Sequence, residues 1–416
     1  MKEETLLVQL QLPSGTWVDT GYLHTANNRT WFQFDGSYWD LPNRPVLGQV
    51  FEEHGREWRP TSRVSLPKWF SHLLPEGRLR QAVAQAAETN DKNEFELLRR
   101  LGGSDLPGAL RAIPTDREGK LAMPIEAEPE DGTNPEDPLL KFSLDGVQLK
   151  FSVYGAEDRG LTVPATGIAG NVILKFPDGR PGFDNVPEAE LGCLRLARSA
   201  GIETADAFLV SPRSVKGLED WAAKSNGQAL AVHRFDRRVD DVRIHMEELA
   251  QVLEISTSNK DAKYKKANFE LIAVLVDALC GADAVSEVID RIVLNVLVGN
   301  GDAHLKNWAI LYDDGKTPSL SPAYDIVPTA LYIPKDNLGL NLNKSHSFEE
   351  VIPESFARIG RRTRYGEFRA VQRARDTVGR IMASWNELSE YLTAENYKTL
   401  TSRLSNLPLT STAAAL

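Results

Sequence analysis

The sequence predicts an α+β protein of bilobal layout, a strand-rich lobe followed by a helical one, with an added N-terminal subdomain. Three observations predict it. Strand-like runs separated by turn residues extend to about residue 236, and apolar residues at three- and four-residue spacing dominate beyond it. Between the first strands and the second set lies 114–138, PTDREGKLAMPIEAEPEDGTNPEDP, rich in Pro, Glu and Asp with little periodicity. Taking that stretch as a linker divides the 416 residues into 1–125, 126–236 and 237–416.

In the first unit, 5–10 (TLLVQL), 16–23 and 29–35 read as short strands between Gly, Asn and Asp turns, and helical spacing runs over 69–88. In the second, KFSLDGVQLKFSVYG, NVILKFP and ALAVHRF are strand-like, with one helix between Pro187 and Gly201. The third is helical: Met246 to Leu253, Phe269 to Leu279 and Val285 to Val298 carry apolar residues at helical spacing.

Composition excludes several function classes. With 42% hydrophobic residues, the chain can bury large cores. Its net charge of −10 argues against coating nucleic acid or anionic membrane unaided. Cys193 and Cys280 are too few for a metal knuckle or a disulfide scaffold, and both are expected as reduced core residues. The start MKEETLLVQL lacks a basic region followed by an apolar run, and no stretch approaches the roughly 18 apolar residues of a span. A cytoplasmic protein without membrane contact is expected.

The chemistry-bearing stretch is 299–326, GNGDAHLKNWAILYDDGKTPSLSPAYDI. An apolar helix leads in, Gly299 and Gly301 stop it, and Asp302 is left on a loop anchored to a rigid element. Asp302 and Asn307 have the Asp-x-x-x-x-Asn spacing of the protein-kinase catalytic loop, where Asp orients the acceptor hydroxyl and Asn holds a metal ion. WAILY, the turn DDGK and PSLSPAYDI then form a hairpin pattern that carries Asp325 back toward the loop. Asp325 with Asn307 suits Mg²⁺, a small hard cation that takes one or two protein oxygens plus phosphate and water. Taken alone, this loop could also be a turn with capping residues, a reading that its context disfavours. His304 suits a loop-bracing role better than metal ligation, and Lys306 either neutralises phosphate charge or is simply solvated.

Lys175 interrupts the strand Val172–Phe176, which would otherwise be buried on both faces, and so needs a partner. Fifteen residues on, Glu190 lies on the helix PEAELGCLRLARSAG, on the apolar face with Cys193 and Leu194. A kinase pairs its phosphate-binding strand Lys with such a Glu. The alternative is an edge-strand Lys with a solvated Glu. FSLDGVQLKFSVYG places a Gly and small polar residues between two strands, which suits a turn covering phosphates with backbone N–H groups or an ordinary hairpin; there is no GxGxxG.

"FSLDGVQLK", "VILKFP", "ALAVHRFDRR", "GNGDAHLKNWAILY" and "LSPAYDI" together resemble the HipA family, bacterial serine/threonine kinases that are toxins of type II toxin–antitoxin modules. "LLPEG" and "LGGSDLPGALR" extend the likeness into the N-terminal subdomain. The resemblance implies a HipA-type fold, distantly like protein and phosphoinositide kinases. It implies Asp302 as catalytic Asp with Lys306 beside it, Asn307 and Asp325 as Mg²⁺ ligands, and Lys175 as the ATP-phosphate lysine paired with Glu190. Leu144, Asp145, Gly146, Val147, Gln148 and Lys150 would form the phosphate loop, preceded by Ser143 as the autophosphorylated serine. His233, Arg234 and Phe235 would lie at the adenine-contacting hinge, with His304 and Tyr324 completing the nucleotide site. Some family members carry an acidic residue where this chain has His233.

The expected function is therefore ATP- and Mg²⁺-dependent phosphorylation of a protein, with a translation component such as an aminoacyl-tRNA synthetase the leading substrate. The expected partner is a small HipB-like helix-turn-helix antitoxin, through which DNA is contacted only indirectly. Two rivals are a kinase of this fold acting on another protein or a small molecule, and a non-enzymatic regulatory component. The second would bind ATP poorly and transfer no phosphate.

Overall fold

Residues 3–103, 105–115, 150–156, 160–162, 170–177, 179–218, 227–238, 242–259 and 261–413 are described in the computed structural model. Five strands open the chain: β1 (Glu4–Gln11), β2 (Trp17–Ala26), β3 (Arg29–Phe34), β4 (Thr61–Arg63) and β5 (Leu110–Thr115). They pair antiparallel in the order β4-β3-β2-β1-β5, so β1 sits between β2 and the strand that arrives last in sequence. Leu6, Val8, Leu10, Leu23 and Phe32 point into one core with Phe51, Trp69 and Phe70. Helical spacing over 69–88 resolves into two helices, Lys68–Ser71 and Gly77–Ala86, because Pro75 cannot donate and Gly77 takes φ +58°.

The second sheet comprises β6 (Lys150–Ala156), β7 (Gly160–Thr162), β8 (Val172–Lys175), β9 (Ala207–Val210) and β10 (Ala229–His233), ordered β7-β6-β8-β10-β9. Central β8 pairs with β6 and β10, so Lys175 lies opposite both Lys150 and Leu230. The helix Val186–Ser199 follows, with Pro187 in its first turn and Leu191, Leu194 and Leu196 buried.

The third sheet is small: β11 (His245–Glu248), β12 (Ala309–Tyr312) and β13 (Ser319–Leu320), all antiparallel. Here the expected helix from Met246 is not formed. Met246 pairs with Leu311 and Glu247 with Ile310 as a strand, and only Leu249–Val252 turns helical. Short apolar runs do not distinguish strand from helix, and β12 as a partner decides. The turn before β13 is closed by the Asp314 carboxylate, which accepts from the Lys316 and Thr317 amides.

The helix Phe269–Cys280 packs on this sheet and on Val285–Val298, against which Glu367–Ser384 and Ala394–Asn406 pack in turn. Val285–Val298 is buried nearly all round, which is why it is apolar beyond a single stripe. Its buried Asp290 is held by Arg373, Arg380 and Thr377. Gly299 ends it at φ +74°, and a Cβ there would lie 2.7 Å from that of Ala330. No other residue fits both the left-handed turn and the contact. Cys193 is buried and Cys280 only half-buried, so the second cysteine is not the core residue expected. Among the described residues no helix is long and apolar enough to cross a membrane.

Polar joints that fasten the first unit to the rest include two buried charged clusters. Buried Glu247 accepts from the Gln49 amide, the Trp69 indole and the Tyr312 hydroxyl. Arg234 and Arg237 interleave with Asp105 and Asp236, and Asp236 also accepts from the Gly108 amide. Burial works against the Asp236 charge, but the two guanidiniums outweigh it and hold the carboxyl well below the usual carboxylate range.

Candidate active site

The site lies between the two lobes, where the end of β8, the helix Val186–Ser199, the 299–308 loop and the segment after β13 meet. Lys175 Nζ stands 2.5 Å from Glu190 Oε1 and 2.7 Å from Asp325 Oδ1. Lys150 Nζ lies 3.0 Å from both oxygens of Asp325. Lys175 is 6% exposed and Glu190 0%, so the pair is buried together. Burial opposes the Lys175 charge, yet Asp325 and Glu190 outweigh it and hold the ammonium above its ordinary range. Asp325 keeps its proton off far below the usual range because Lys150 and Lys175 together overcome burial. Glu190 shares a single ammonium, and burial pushes its carboxyl up; its second oxygen is buried with no hydrogen-bond partner among the described residues.

Asp325 adopts φ +58°, a left-handed conformation that Asp tolerates better than most side chains and that is often found at functional positions. The neighbouring Tyr324 hydroxyl donates to the Lys306 carbonyl at 2.8 Å, tying this turn to the 302–307 loop. In that loop Asn307 Nδ2 donates to the Asp302 carbonyl at 2.9 Å, and the Asp302 amide donates to Asn300 Oδ1 at 3.0 Å. Asn307 and Asp325 both line a cavity of about 20 Å³ beside Asn295, Asn300 and Tyr324. Asn307 thus offers an amide oxygen and Asp325 a carboxylate beside one small cavity, which buried Arg291 also lines. This donor set fits Mg²⁺, which is held largely by phosphate and water.

Asp302 itself is 53% exposed at the side chain and accepts from the Tyr264 hydroxyl. His304 lies behind it, 3.9 Å from Asp302 Oδ1 through Nε2. Burial lowers the His304 imidazole to about 4, so at neutral pH it is uncharged and braces the loop. Lys306 is neither solvated nor directed at open space: Nζ lies 3.0 Å from Glu76 and 3.5 Å from Glu248. Burial pushes Glu248 to about 7, with Lys306 offsetting part of that effect.

Other expected site residues fall differently. His233 is exposed at the end of β10, its ring 5.5 Å from Phe208, and its amide donates to the Asp206 carbonyl. The Arg234 amide donates to Asn171, and its guanidinium is committed to Asp105 and Asp236, so this expected nucleotide contact serves as a joint between units. Phe235 packs on Tyr324 with ring centroids 5.3 Å apart. Lys150, expected in the phosphate loop, opens β6 and reaches Asp325. Ser143 and residues 144–148 lie outside the described residues. Glu76, Glu248, Lys263 and Tyr264 were not anticipated; LLPEG pointed to Glu76 only as part of a resemblance, and a lone Tyr in AKYKK carries no local signal.

The buried imidazoles give a pH prediction. His72, His245 and His304 are each held at about 4 by burial, so between pH 6.5 and 4 the unfolded chain binds more protons than the folded one. Stability therefore falls as pH drops through that window. Glu248, at about 7, acts oppositely, since the folded state holds its proton at pH values where the unfolded one does not. Together these four groups lose roughly 3 kcal/mol between pH 7 and pH 5, read as a lower urea midpoint at pH 5, and the carboxyls of Glu190, Glu247 and Glu287, which burial also raises, offset part of it.

The family model described as HipA-like C-terminal domain matches residues 142–385, and that described as HipA N-terminal domain matches 17–113. The chain belongs to the HipA family. It is 36% identical over 366 residues to the "Putative kinase Y4dM" of Sinorhizobium fredii, covering 86% of this chain and 87% of that one. Over 292 residues it is 25% identical to the serine/threonine-protein kinase toxin HipA of Shewanella oneidensis, covering 63% and 62%. A chain of the solved Shewanella oneidensis HipA, HipB and operator DNA complex superposes with a TM-score of 0.71 at 17% identity, covering 98% of this chain and 96% of that one. The bilobal α+β architecture is thus the HipA fold.

Proposed function

We propose that this HipA-family protein is an ATP- and Mg²⁺-dependent serine/threonine protein kinase, the toxin of a toxin–antitoxin module restrained by a HipB-like antitoxin. One observation carries the reading: Lys175, from the strand-rich lobe, meets both Glu190 and Asp325, and Asp325 shares a small cavity with Asn307 five residues beyond Asp302. A protein kinase needs this set, namely a phosphate-binding lysine fixed by a glutamate, two oxygen ligands and an acceptor-orienting aspartate. The relatives' names and the solved HipA, HipB and DNA complex support the toxin role and the partner.

In this reading Lys150 and Lys175, now neutralised by Asp325, turn to the triphosphate as it enters. Asn307 and Asp325 would hold Mg²⁺, which would supply charge neutralisation at phosphate oxygens. Asp302 orients the acceptor hydroxyl and takes its proton. The translation machinery, an aminoacyl-tRNA synthetase foremost, is the substrate class, and Ser143 is an internal acceptor. A phosphate on it would add roughly −1.5 to −2 charges that compete with the triphosphate for its lysines, and so would switch the enzyme off.

The test is incubation of purified protein with labelled ATP, Mg²⁺ and bacterial lysate, followed by mass spectrometry. Label on serine or threonine of a translation protein, lost on chelation of Mg²⁺, is the expected result. Ser143 is expected to become fully occupied with loss of ATP binding. An unmodified Ser143 in active enzyme removes the switch, and no phosphate incorporation anywhere removes the kinase.

A further inference from the structure

Resting on the kinase reading, one contact at the acceptor side has a consequence of its own. The Tyr264 hydroxyl donates to Asp302 Oδ1, the oxygen to which an acceptor hydroxyl would donate during transfer. Tyr264 sits on the single helical turn Ala262–Lys265, its ring edge-on to His304 with centroids 5.1 Å apart. Burial, then Asp302, raises the phenol far above its usual range, so it remains a donor. The turn is tethered: Lys263 Nζ lies 3.2 Å from Glu76 Oε2, while Glu76 Oε1 lies 3.0 Å from Lys306 in the catalytic loop. One carboxylate from the N-terminal subdomain thus ties together the two segments that bring the phenol and Asp302 into contact. Asp302 is otherwise half-exposed, open to any hydroxyl that arrives.

We propose that Tyr264 is the selectivity residue of the acceptor site, filling the place of the acceptor hydroxyl against water and yielding to a hydroxyl carried on a polypeptide. A water molecule replaces one hydrogen bond to Asp302 and gains nothing else. A seryl or threonyl hydroxyl on a bound chain brings further contacts that offset displacement of the phenol. Once it is seated, its oxygen bonds to the γ-phosphorus and its proton passes to Asp302. The bond from the γ-phosphorus to the bridging oxygen breaks, leaving its electron pair on ADP. Water at the same place would give ADP and inorganic phosphate, a wasteful hydrolysis that the phenol suppresses.

Tyr264→Phe keeps the ring on His304 and removes only the hydroxyl. With Mg²⁺-ATP and no protein acceptor, hydrolysis by this variant is expected to rise about tenfold or more over wild type, the weight of one hydrogen bond to a charged group. With casein as acceptor probe, KM should fall while kcat holds, and adding Asp302→Asn should abolish the extra hydrolysis. Independently of activity, nitration of Tyr264 by tetranitromethane in nucleotide-free protein should be several-fold faster in Asp302→Ala than in wild type. Unchanged or reduced hydrolysis by Tyr264→Phe, where wild type transfers phosphate and both melt alike, overturns the proposal. So do equal nitration rates, or phosphotyrosine at 264, which would make it an acceptor. Wild type that neither transfers nor hydrolyses would instead overturn the kinase reading, and this inference with it.

Discussion

Replacing Asp302 by Asn is expected to lower phosphoryl transfer by about 10² to 10⁴, the usual effect of removing a positioned acid or base. The substitution is nearly isosteric, and an amide oxygen can still accept from Tyr264, whose hydroxyl is the side-chain partner of Asp302 in the free protein. The main-chain contacts of the loop, the Asp302 carbonyl to Asn307 and the amide to Asn300, do not involve the altered atoms. What is lost is a carboxylate able to take the acceptor's proton. Calorimetric affinity for Mg²⁺-ATP should therefore stay near wild type while radiolabel transfer collapses. Transfer at the wild-type rate would move the catalytic base elsewhere, and loss of nucleotide binding would mean that the substitution had disturbed the loop.

The second large effect is expected at Asp325. Even a residue that only supports a metal ligand costs about 10- to 100-fold in metal affinity when removed. As a direct ligand, Asp325 replaced by Asn should cost at least about a hundredfold in Mg²⁺-dependent ATP affinity. Asn is the informative replacement because it also tolerates the φ of +58° at this position, so the backbone survives and only the charge goes. The variant also frees Lys150 and leaves Lys175 with Glu190 alone. Metal-free ATP should accordingly bind the variant no worse, and even better, than wild type, because two ammoniums are less neutralised. A calorimetric titration with and without Mg²⁺ separates the two terms. Equal weakening in both conditions would make Asp325 an organiser of the lysines rather than a metal ligand.

Parts of this site are legible in the chain because they are set by local rules. The apolar helix Val285–Val298 and its Gly299 stop are written in spacing and in one conformational requirement, and the structure has the helix at those residues. A strand followed by a helix brings Lys175 and Glu190 together because each is the polar exception on an otherwise apolar element, so burial leaves each in need of a partner. The hairpin β12–β13 returns the chain toward Asp325 through a turn whose Asp314 closes it locally. Where the local signal was short and apolar, as from Met246, the reading failed, since a pairing strand some sixty residues away decides between strand and helix.

The sequence by itself therefore determined most of the order of elements and the family, and it singled out the candidate residues of the loop. Tertiary structure alone decided their partners. Lys306 meets Glu76 across 230 positions, Arg234 meets Asp105 across 129, Lys150 meets Asp325 across 175, and Tyr264 covers Asp302 across 38. Periodicity records which face of an element leaves water, because burying apolar area depends on spacing and not on the identity of the neighbour. A charge or hydroxyl carries no such record. Many partners of the right sign exist along the chain, and only the packing of one unit on another selects which of them comes within hydrogen-bond distance.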